Sequence, residues 1–403
     1  MTIVPCQGKI LVVDDEILIQ SIIIQKFKNQ IKSKEFEFLF AHNGVEALKI
    51  LEQELEIGVI LIDINMPIMD GLTLLQELLG QNRIFRPIII TAYGDMVNIR
   101  KAMNSGASDF LTKPIDLDDL EMTIMRNLDR FHLLYNADKA HKEFLELSKE
   151  IEIAKNIQLS QLPNDFSAYS VGAPVEIYGD IASTKNMGGD FFGFFPLESH
   201  QVGFFIGEVA DRGIPAALFM TMTRALLHTF ALKNLSPGVC FDKINKILLV
   251  KEIAFAIFVS AFYGIINSQT GQVIYCNAGH RPALLINKKR ELHEIGRYEG
   301  LPLAVTEDPS SLQIKFEEKS FQLDPGDSLL LYTNGVLEIQ NSFQEMFGER
   351  RVKEVLSQLS DSTAFNMVNH LREQLLNFSN GISQINDATL LSIRYNGESH
   401  AAT

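Results

Sequence analysis

The stretch LIDINMPIMDG at residues 61–71 is a short apolar run that ends in an aspartate and passes into a turn with Pro and Gly. Similar runs, rich in β-branched and aromatic residues, occur on both sides of it, separated by stretches of helical periodicity. The five runs are 9–13, 36–40, 58–63, 86–90 and 108–112. Strands that alternate with helices form a parallel sheet covered by helices on both faces. The sequence therefore predicts an α/β, flavodoxin-like domain over residues 7–130.

Polar residues stand where these strands end. Asp14 and Asp15 follow the first strand, Asp63 ends the third, Thr91 follows the fourth and Lys113 follows the fifth. The carboxyl ends of parallel strands share one edge of a sheet, so we expect these side chains to meet there. Three carboxylates repel one another unless a hard cation such as Mg²⁺ joins them. Asp63 could then act as a nucleophile toward a phosphoryl group, with Lys113 and Thr91 binding its oxygens.

Four motifs of this domain resemble those of the response-regulator receiver family. They are LVVDDE at 11–16, LIDINMPIMDG at 61–71, TAYGD at 91–95 and DFLTKP at 109–114. The resemblance covers residues 9–130 and implies a five-stranded parallel sheet of order 2-1-3-4-5. It also implies phosphorylation of Asp63 by a sensor histidine kinase or a small phosphodonor.

The same resemblance assigns roles to further residues. It implies that Asp15 ligates Mg²⁺ directly, that Asp14 assists, and that the backbone carbonyl of Asn65 completes the protein ligands. Phe110 stands at the position of the aromatic switch residue. The peptide bond between Lys113 and Pro114 is expected to be cis.

Residues 116–160 are almost free of Gly and Pro and carry apolar residues at every third or fourth position. This pattern predicts one long helix, or two nearly continuous helices, that Pro163 ends. Two interpretations remain open for the linker, residues 131–162. It is either a solvated continuation of the last receiver helix or a coiled coil through which a second copy of the chain pairs over residues 116–160.

Residues 163–396 are rich in strand-like runs, which predicts an α+β domain built on antiparallel sheets. Their motifs resemble those of PPM-type serine/threonine phosphatases of the SpoIIE/RsbU branch. In chain order they are IQLSQLP at 157–163, GGDFFGF at 188–194, EVADRGIPAALFM at 208–220, NAGHRPALL at 277–285, LLLYTNGVLE at 329–338, EMFG at 345–348 and NDATLLSIR at 386–394. The resemblance implies two packed antiparallel sheets with two Mn²⁺ or Mg²⁺ ions held by aspartates between them.

Three of the four aspartate positions of that family differ here. The four positions carry, in chain order, Asp190, Glu208, Asn334 and Asn386. Only two carboxylates remain, although two closely spaced dications repel each other and need that negative charge. Asp211 and Asp387 could restore part of it. We therefore expect this metal centre to be weak or absent.

Composition and motif details argue against other classes of protein. The formal net charge of −14 is unfavourable for binding nucleic acid, and no basic helix-turn-helix follows the first domain. The GGDFF stretch lacks the acidic residue that a GGDEF cyclase loop needs beside its aspartate. Three widely spaced cysteines fit a reducing cytoplasm, and no apolar run is long enough to cross a membrane.

These observations predict a signalling protein in which phosphorylated Asp63 shifts the long helix and changes how the phosphatase-like domain acts on a protein partner. In related architectures that partner belongs to a sigma-factor pathway, as an anti-anti-sigma protein or a sigma factor. The loss of metal ligands favours a catalytically weak or inactive adaptor, an arrangement that resembles RssB-type regulators. The alternative is a working phosphatase that uses Asp190, Glu208, Asp211 and Asp387, so whether the domain is an enzyme stays open.

Overall fold

The computed structural model describes residues 8–92, 94–183, 187–250, 257–297, 300–305, 315–359 and 362–397. Cys6, Tyr93 and the beginning of the apolar run at 253–266 lie outside these ranges. The chain divides into two compact units, Met1–Ser148 and Lys149–Thr403. Within the described ranges no helix has both the length and the apolar character needed to cross a membrane.

The first unit is built on a parallel sheet of five strands in the order β2-β1-β3-β4-β5, which confirms the predicted flavodoxin-like fold. The strands are β1 (Gly8–Val13), β2 (Phe36–Ala41), β3 (Val59–Asp63), β4 (Arg86–Ala92) and β5 (Asp109–Lys113). The helices between them are α1 (Ile17–Lys26), α2 (Lys28–Lys32), α3 (Gly44–Gln53), α4 (Gly71–Leu79) and α5 (Met96–Asn104).

Both faces of this sheet are buried, because alternate residues of each strand point to opposite sides. Leu11 and Ile60 contribute to the apolar core on one face, whereas Ile10 and Leu61 contribute to the core on the other. A strand buried on both faces has no polar alternation. This is why the continuous apolar runs of the sequence located these strands within one or two residues of their ends.

One uninterrupted helix, α6 (Leu117–Ser160), follows β5. Its first turns belong to the first unit, where Leu120, Ile124 and Leu128 are buried in the core. Farther along, Phe144 and Leu147 are exposed. The pairing of two chains through this helix stays a prediction.

The second unit contains two antiparallel sheets of five strands, as predicted. The strands of one sheet, in spatial order, are β13 (Lys319–Gln322), β10 (Gln272–Ala278), β9 (Val259–Asn267), β8 (Gln201–Val209) and β7 (Asp190–Leu197). Those of the other are β12 (Leu292–Ile295), β11 (Ala283–Ile286), β14 (Ser328–Tyr332), β15 (Ala388–Tyr395) and β6 (Val175–Ala182). The helices are α7 (Gly213–Ala231), α8 (Pro237–Val250), α9 (Asn334–Glu338), α10 (Gly348–Ser357) and α11 (Ala364–Ser379), with a 3₁₀ turn at Ser167–Tyr169.

Three apolar cores hold this unit together. The central core lies between the sheets and includes Phe204 and Phe262 from one sheet and Leu329 and Leu391 from the other. A second core joins the first sheet to α7 and α8, and a third joins the other sheet to α9, α10 and α11. Strand β7 faces two cores at once, so most of its aromatic residues are core: Phe191, Phe192 and Phe195 are buried and Phe194 is half-buried.

Replacing Phe204 with Ala should destabilise the second unit by about 3–5 kcal/mol, because it opens a cavity between the two sheets. Phe204 is fully buried and stacks on Phe262. Phe343 offers a matched control, since its side chain is 82% exposed. Phe343→Ala should change the free energy of unfolding by less than about 0.5 kcal/mol. Urea unfolding of both variants tests this, and equal effects would contradict the core assignment.

Candidate functional site

The carboxyl edge of the parallel sheet carries a cluster of three acidic side chains. Ligand oxygens of Asp14, Glu16 and Asp63 all lie within 4.8 Å of one another. The ammonium group of Lys113 lies 2.9 Å from Asp63 Oδ2, 2.9 Å from Glu16 Oε1 and 3.2 Å from Asp14 Oδ2. Burial raises the pKa of Asp14. Burial alone would lower the pKa of Lys113, but its bonds to Asp63 and Glu16 raise it above the usual value.

This cluster fits a hard divalent cation. Three carboxylates within reach of a single point supply the oxygen ligands that Mg²⁺ prefers. Asp15, which the resemblance selects as the direct ligand, is exposed, and its role stays a prediction. The neighbouring Glu16 is exposed as well, and its carboxylate contributes to the cluster. The sequence offered one signal for Glu16, namely its position directly after the aspartate pair. Asn65 is exposed just beyond β3, two residues after Asp63, and its role as a carbonyl ligand stays a prediction.

Of the other predicted residues of the first unit, Thr91 and Lys113 lie at the same edge, whereas Phe110 lies near the start of β5. Thr91 is buried, and its hydroxyl has no hydrogen-bond partner within the described part of the chain. Phe110 is 40% exposed on β5, the strand that ends in Lys113, and the Lys113–Pro114 bond is cis. Gly71 packs against the Asp63 backbone so closely that a Cβ would lie 2.2 Å from the Asp63 carbonyl oxygen.

The second unit gathers its predicted site residues at one end of the paired sheets. Asp190 and Glu208 are direct partners on the antiparallel strands β7 and β8. Asn334 follows β14, and Asp387 precedes β15. Asp190, Glu208 and Asp387 line a cavity of about 150 Å³, together with Gly188, Asp211 and Asn386. Asn334 is not part of this lining and joins the site through its hydrogen bonds to Glu208.

Neutral hydrogen-bond donors bind two neighbouring carboxylates of this cavity, the buried Asp190 and the half-buried Glu208. Asp190 Oδ2 accepts hydrogen bonds from the hydroxyls of Thr333 at 2.6 Å and Thr389 at 2.7 Å. Glu208 Oε2 accepts bonds from the backbone N–H of Asn334 at 3.1 Å and from its side-chain amide at 2.9 Å. Burial raises the pKa of Asp190 well above its usual value, and the charge of Glu208 adds to this. Burial likewise raises the pKa of Glu208.

This arrangement does not fit a binuclear metal centre. Within the described residues, the acids of the first unit form the only group of three acidic, His or Cys side chains whose ligand atoms lie within 4.8 Å of one another. The Asn386 amide donates a hydrogen bond to Glu338, and Asp211 is exposed at the cavity rim. The carboxylate of Asp387 lies so close to Gly188 that a Cβ at position 188 would overlap it.

Two residues that sequence reasoning left without a role also belong to this site. Gln158, near the end of α6, is only 5% exposed and donates a hydrogen bond of 2.6 Å to the carbonyl of Gly188. Arg281 donates from Nε to Asn334 Oδ1 at 2.6 Å. A polar residue on the buried side of a helix end was the available signal for Gln158. The sequence carried no such signal for Arg281, because its partner is 53 residues away.

Comparisons with known proteins agree with this two-part organisation. The profile of the response regulator receiver domain matches residues 10–125, and that of Stage II sporulation protein E (SpoIIE) matches residues 198–396. Over 158 residues the chain is 34% identical to the transcriptional regulatory protein CrdR of Helicobacter pylori, covering 38% of this chain and 71% of CrdR.

Other relatives match over longer stretches of the chain. The phosphoserine phosphatase RsbU of Bacillus subtilis is 26% identical over 257 residues, which cover 62% of this chain and 71% of RsbU. Protein IcfG of Synechocystis is 27% identical over 278 residues, but the chain spans only 42% of its length. The SiaA-PP2C domain of Pseudomonas aeruginosa shares the fold, with a TM-score of 0.53 at 18% identity over 63% of this chain and 98% of that domain.

The parallel sheet and its acidic edge define a receiver domain, and the chain belongs to the response regulators. Behind the receiver it carries a SpoIIE-family domain with the fold of PPM-type phosphatases.

The second unit should lose stability as the pH falls below about 6.5, because it buries His280 in its neutral form. Burial lowers the pKa of His280 to about 3, whereas the unfolded chain protonates this side chain near its usual value. The stabilising contribution is therefore complete above pH 6.5 and is lost as the pH falls toward 3. A His280→Asn variant should show a pH dependence that is weaker by up to about 1.4 kcal/mol per pH unit.

His293 is exposed, so His293→Asn is the matched control and should follow the parent protein. Urea unfolding of the parent and both variants between pH 5 and 8 measures the difference. Parallel curves for the parent and His280→Asn would contradict the prediction.

Proposed function

We propose that this response regulator is phosphorylated on Asp63 and thereby controls how its SpoIIE-family domain holds a protein partner, as an adaptor without phosphatase activity. The observation that carries the adaptor assignment is the bonding of Glu208 to Asn334, an amide at a position where the PPM family has a metal-binding aspartate. We assign the partner to a sigma-factor pathway, as an anti-anti-sigma-type protein or a sigma factor, because the motifs resemble the SpoIIE/RsbU branch.

The receiver chemistry starts from the buried Asp63 carboxylate. Its oxygen attacks the phosphorus of the donor, and the bond from phosphorus to the leaving group breaks with its electron pair on that group. Asp14, Glu16 and Asp63 would hold a divalent ion, which would supply positive charge for the incoming phosphoryl group. Lys113 is already 2.9 Å from Asp63 and can bind a phosphoryl oxygen without a large movement.

Phosphorylation changes the bonding partners along this edge. The Thr91 hydroxyl is buried without a partner among the described residues, and a phosphoryl oxygen offers it an acceptor. Lys113 now serves three carboxylates, so a new dianionic group competes for its bonds to Glu16 and Asp14. Thr91 and Lys113 lie at the ends of the adjacent strands β4 and β5, and the partly exposed Phe110 lies between them in the chain. This edge is therefore suited to convert phosphorylation into a local rearrangement.

The helix α6 is suited to carry such a signal. It begins four residues after Lys113 and continues without a break to Ser160. At its end, the buried Gln158 holds the carbonyl of Gly188, two residues before Asp190. A shift of the last helical turn would therefore act directly on the strand start that carries Asp190.

Two acidic side chains of the cavity in the SpoIIE-family domain have hydrogen-bond partners that do not involve dications. The Asp190 carboxylate has two hydroxyl donors and Glu208 has two N–H donors, so both carboxylates have the bonds that buried acids need. Restoring a binuclear centre requires that these bonds be broken and that charge be added. A working phosphatase that uses Asp190, Glu208, Asp211 and Asp387 is the second candidate. This phosphatase function is favoured by the fact that all four of these acidic side chains line one cavity.

Incubation with radiolabelled acetyl phosphate and Mg²⁺ should label the chain, and Asp63→Asn should abolish the labelling, because an amide cannot form the acyl phosphate. Asp129 is exposed on α6, so Asp129→Asn makes the same chemical change away from the acidic edge. This control should be labelled like the parent. Equal labelling of the Asp63→Asn variant would assign the acceptor to another residue.

The adaptor assignment predicts that the SpoIIE-family domain binds no Mn²⁺ in the micromolar range. The experiment uses the full chain with Asp14→Asn and Asp63→Asn, which remove two carboxylates of the receiver cluster. Calorimetric titration should then show no tight site, and phosphoserine peptide turnover should not exceed that of a further Asp190→Asn variant. Two tight sites, together with turnover that Asp190→Asn abolishes, would establish the phosphatase instead.

A further inference from the structure

The turn at residues 277–280 leads directly into Arg281, which reaches Asn334. The side chain of Asn277 holds this turn, donating to the carbonyls of His280 at 2.9 Å and Gly296 at 2.8 Å and accepting from the N–H of His280 at 2.7 Å. Gly279 has a φ of +69°, and Pro302 would lie 2.7 Å from a Cβ at this position. Arg281 therefore extends from a fixed piece of backbone.

Arg281 forms one end of a hydrogen-bonded chain that leads to Glu208. Its Nε donates to Asn334 Oδ1 at 2.6 Å, and the Asn334 amide nitrogen donates to Glu208 Oε2 at 2.9 Å. Arginine has only donors and an ionised glutamate has only acceptors. The amide can satisfy both in just one orientation, with its oxygen toward the guanidinium and its nitrogen toward the carboxylate.

We propose that Arg281, bonded to Glu208 through Asn334, is a fixed cation that keeps a divalent ion from binding beside Glu208. This inference rests on the proposed adaptor function and extends it with a named residue and a cause. The guanidinium remains charged at any working pH, and its charge reaches Glu208 through one neutral amide. A dication at this place would lie close to a fixed positive charge and would have to displace both bonds of Asn334.

With Arg281 acting in this way, the asparagine at position 334 is not the only obstacle to metal binding. If the amide were the only obstacle, Asn334→Asp would return a metal ligand. With Arg281 in place, the new carboxylate has a partner already at hydrogen-bond distance and forms an ion pair with it. Restoring the acid is therefore not enough, and the guanidinium has to be removed as well.

The test compares Mn²⁺ affinity among full-length variants that all carry Asp14→Asn and Asp63→Asn. Isothermal calorimetry and the Mn²⁺-induced shift in melting temperature are the two readouts. Adding Asn334→Asp alone should leave the affinity unchanged within about twofold, whereas adding Asn334→Asp with Arg281→Gln should increase it by about tenfold or more. Melting without metal shows that each variant is folded.

Further variants separate the role of Arg281 from a general change in charge. Arg350 is exposed and pairs with Glu354 one helical turn away, so Arg350→Gln removes the same charge from a remote surface. Combined with Asn334→Asp, it should give the affinity of Asn334→Asp alone. Arg281→Lys keeps the positive charge and should also fail to raise the affinity. Arg281→Met removes the charge but keeps an unbranched side chain, and it should raise the affinity as Arg281→Gln does, which retains a test if Arg281→Gln does not fold.

Equal Mn²⁺ affinity of the Asn334→Asp variants with and without Arg281→Gln, at any level, would overturn the proposal. So would a gain from Arg350→Gln as large as that from Arg281→Gln. These outcomes leave the adaptor function standing as long as the parent binds no Mn²⁺ tightly. Tight binding by the parent would instead remove the adaptor function itself.

Discussion

Both units depend on neutralising carboxylates that the fold buries side by side. The parallel sheet collects Asp14 and Asp63 at one edge, and the antiparallel pairing of β7 and β8 sets Asp190 opposite Glu208. Buried charges without partners are costly, so each site needs an internal source of positive charge or of hydrogen-bond donors. The receiver uses the ammonium of Lys113, whereas the second unit uses hydroxyls and the amide of Asn334.

The two solutions have different consequences for function. One flexible lysine that serves three carboxylates can redistribute its bonds when a phosphoryl group adds charge, so the receiver edge is suited to switching. In the second unit each donor is set by its own element, with Asn334 between Glu208 and Arg281. Such a network favours one geometry and resists the entry of an ion. The helix α6 leads from the receiver to Gln158. The hydrogen bond of Gln158 to Gly188 lies two residues before Asp190, beside the network of the second unit.

Sequence patterns predicted the strands of the receiver well and those of the second unit less completely. The receiver strands are buried on both faces, and their continuous apolar runs mark them directly. Strands β12 and β13 have four residues each and are half-exposed or exposed, so they give no run to detect. Strand β7 begins at the GGDFF motif, and its mixture of Phe and Gly arises because rings of one strand fill the space above glycines of the next, as Phe191 does at Gly207.

The sequence by itself determined the order of elements, the two fold classes and the identity of most acidic positions, because hydrophobic periodicity and short motifs are local properties of a chain. Only the tertiary structure decided which side chains meet. It put Glu16 in the acidic cluster, bonded Gln158 to Gly188 and joined Arg281 to Asn334. The last two contacts link residues 30 and 53 positions apart, and all three depend on how separate elements come together. No local pattern encodes such pairs, so the chemistry of the site follows from packing.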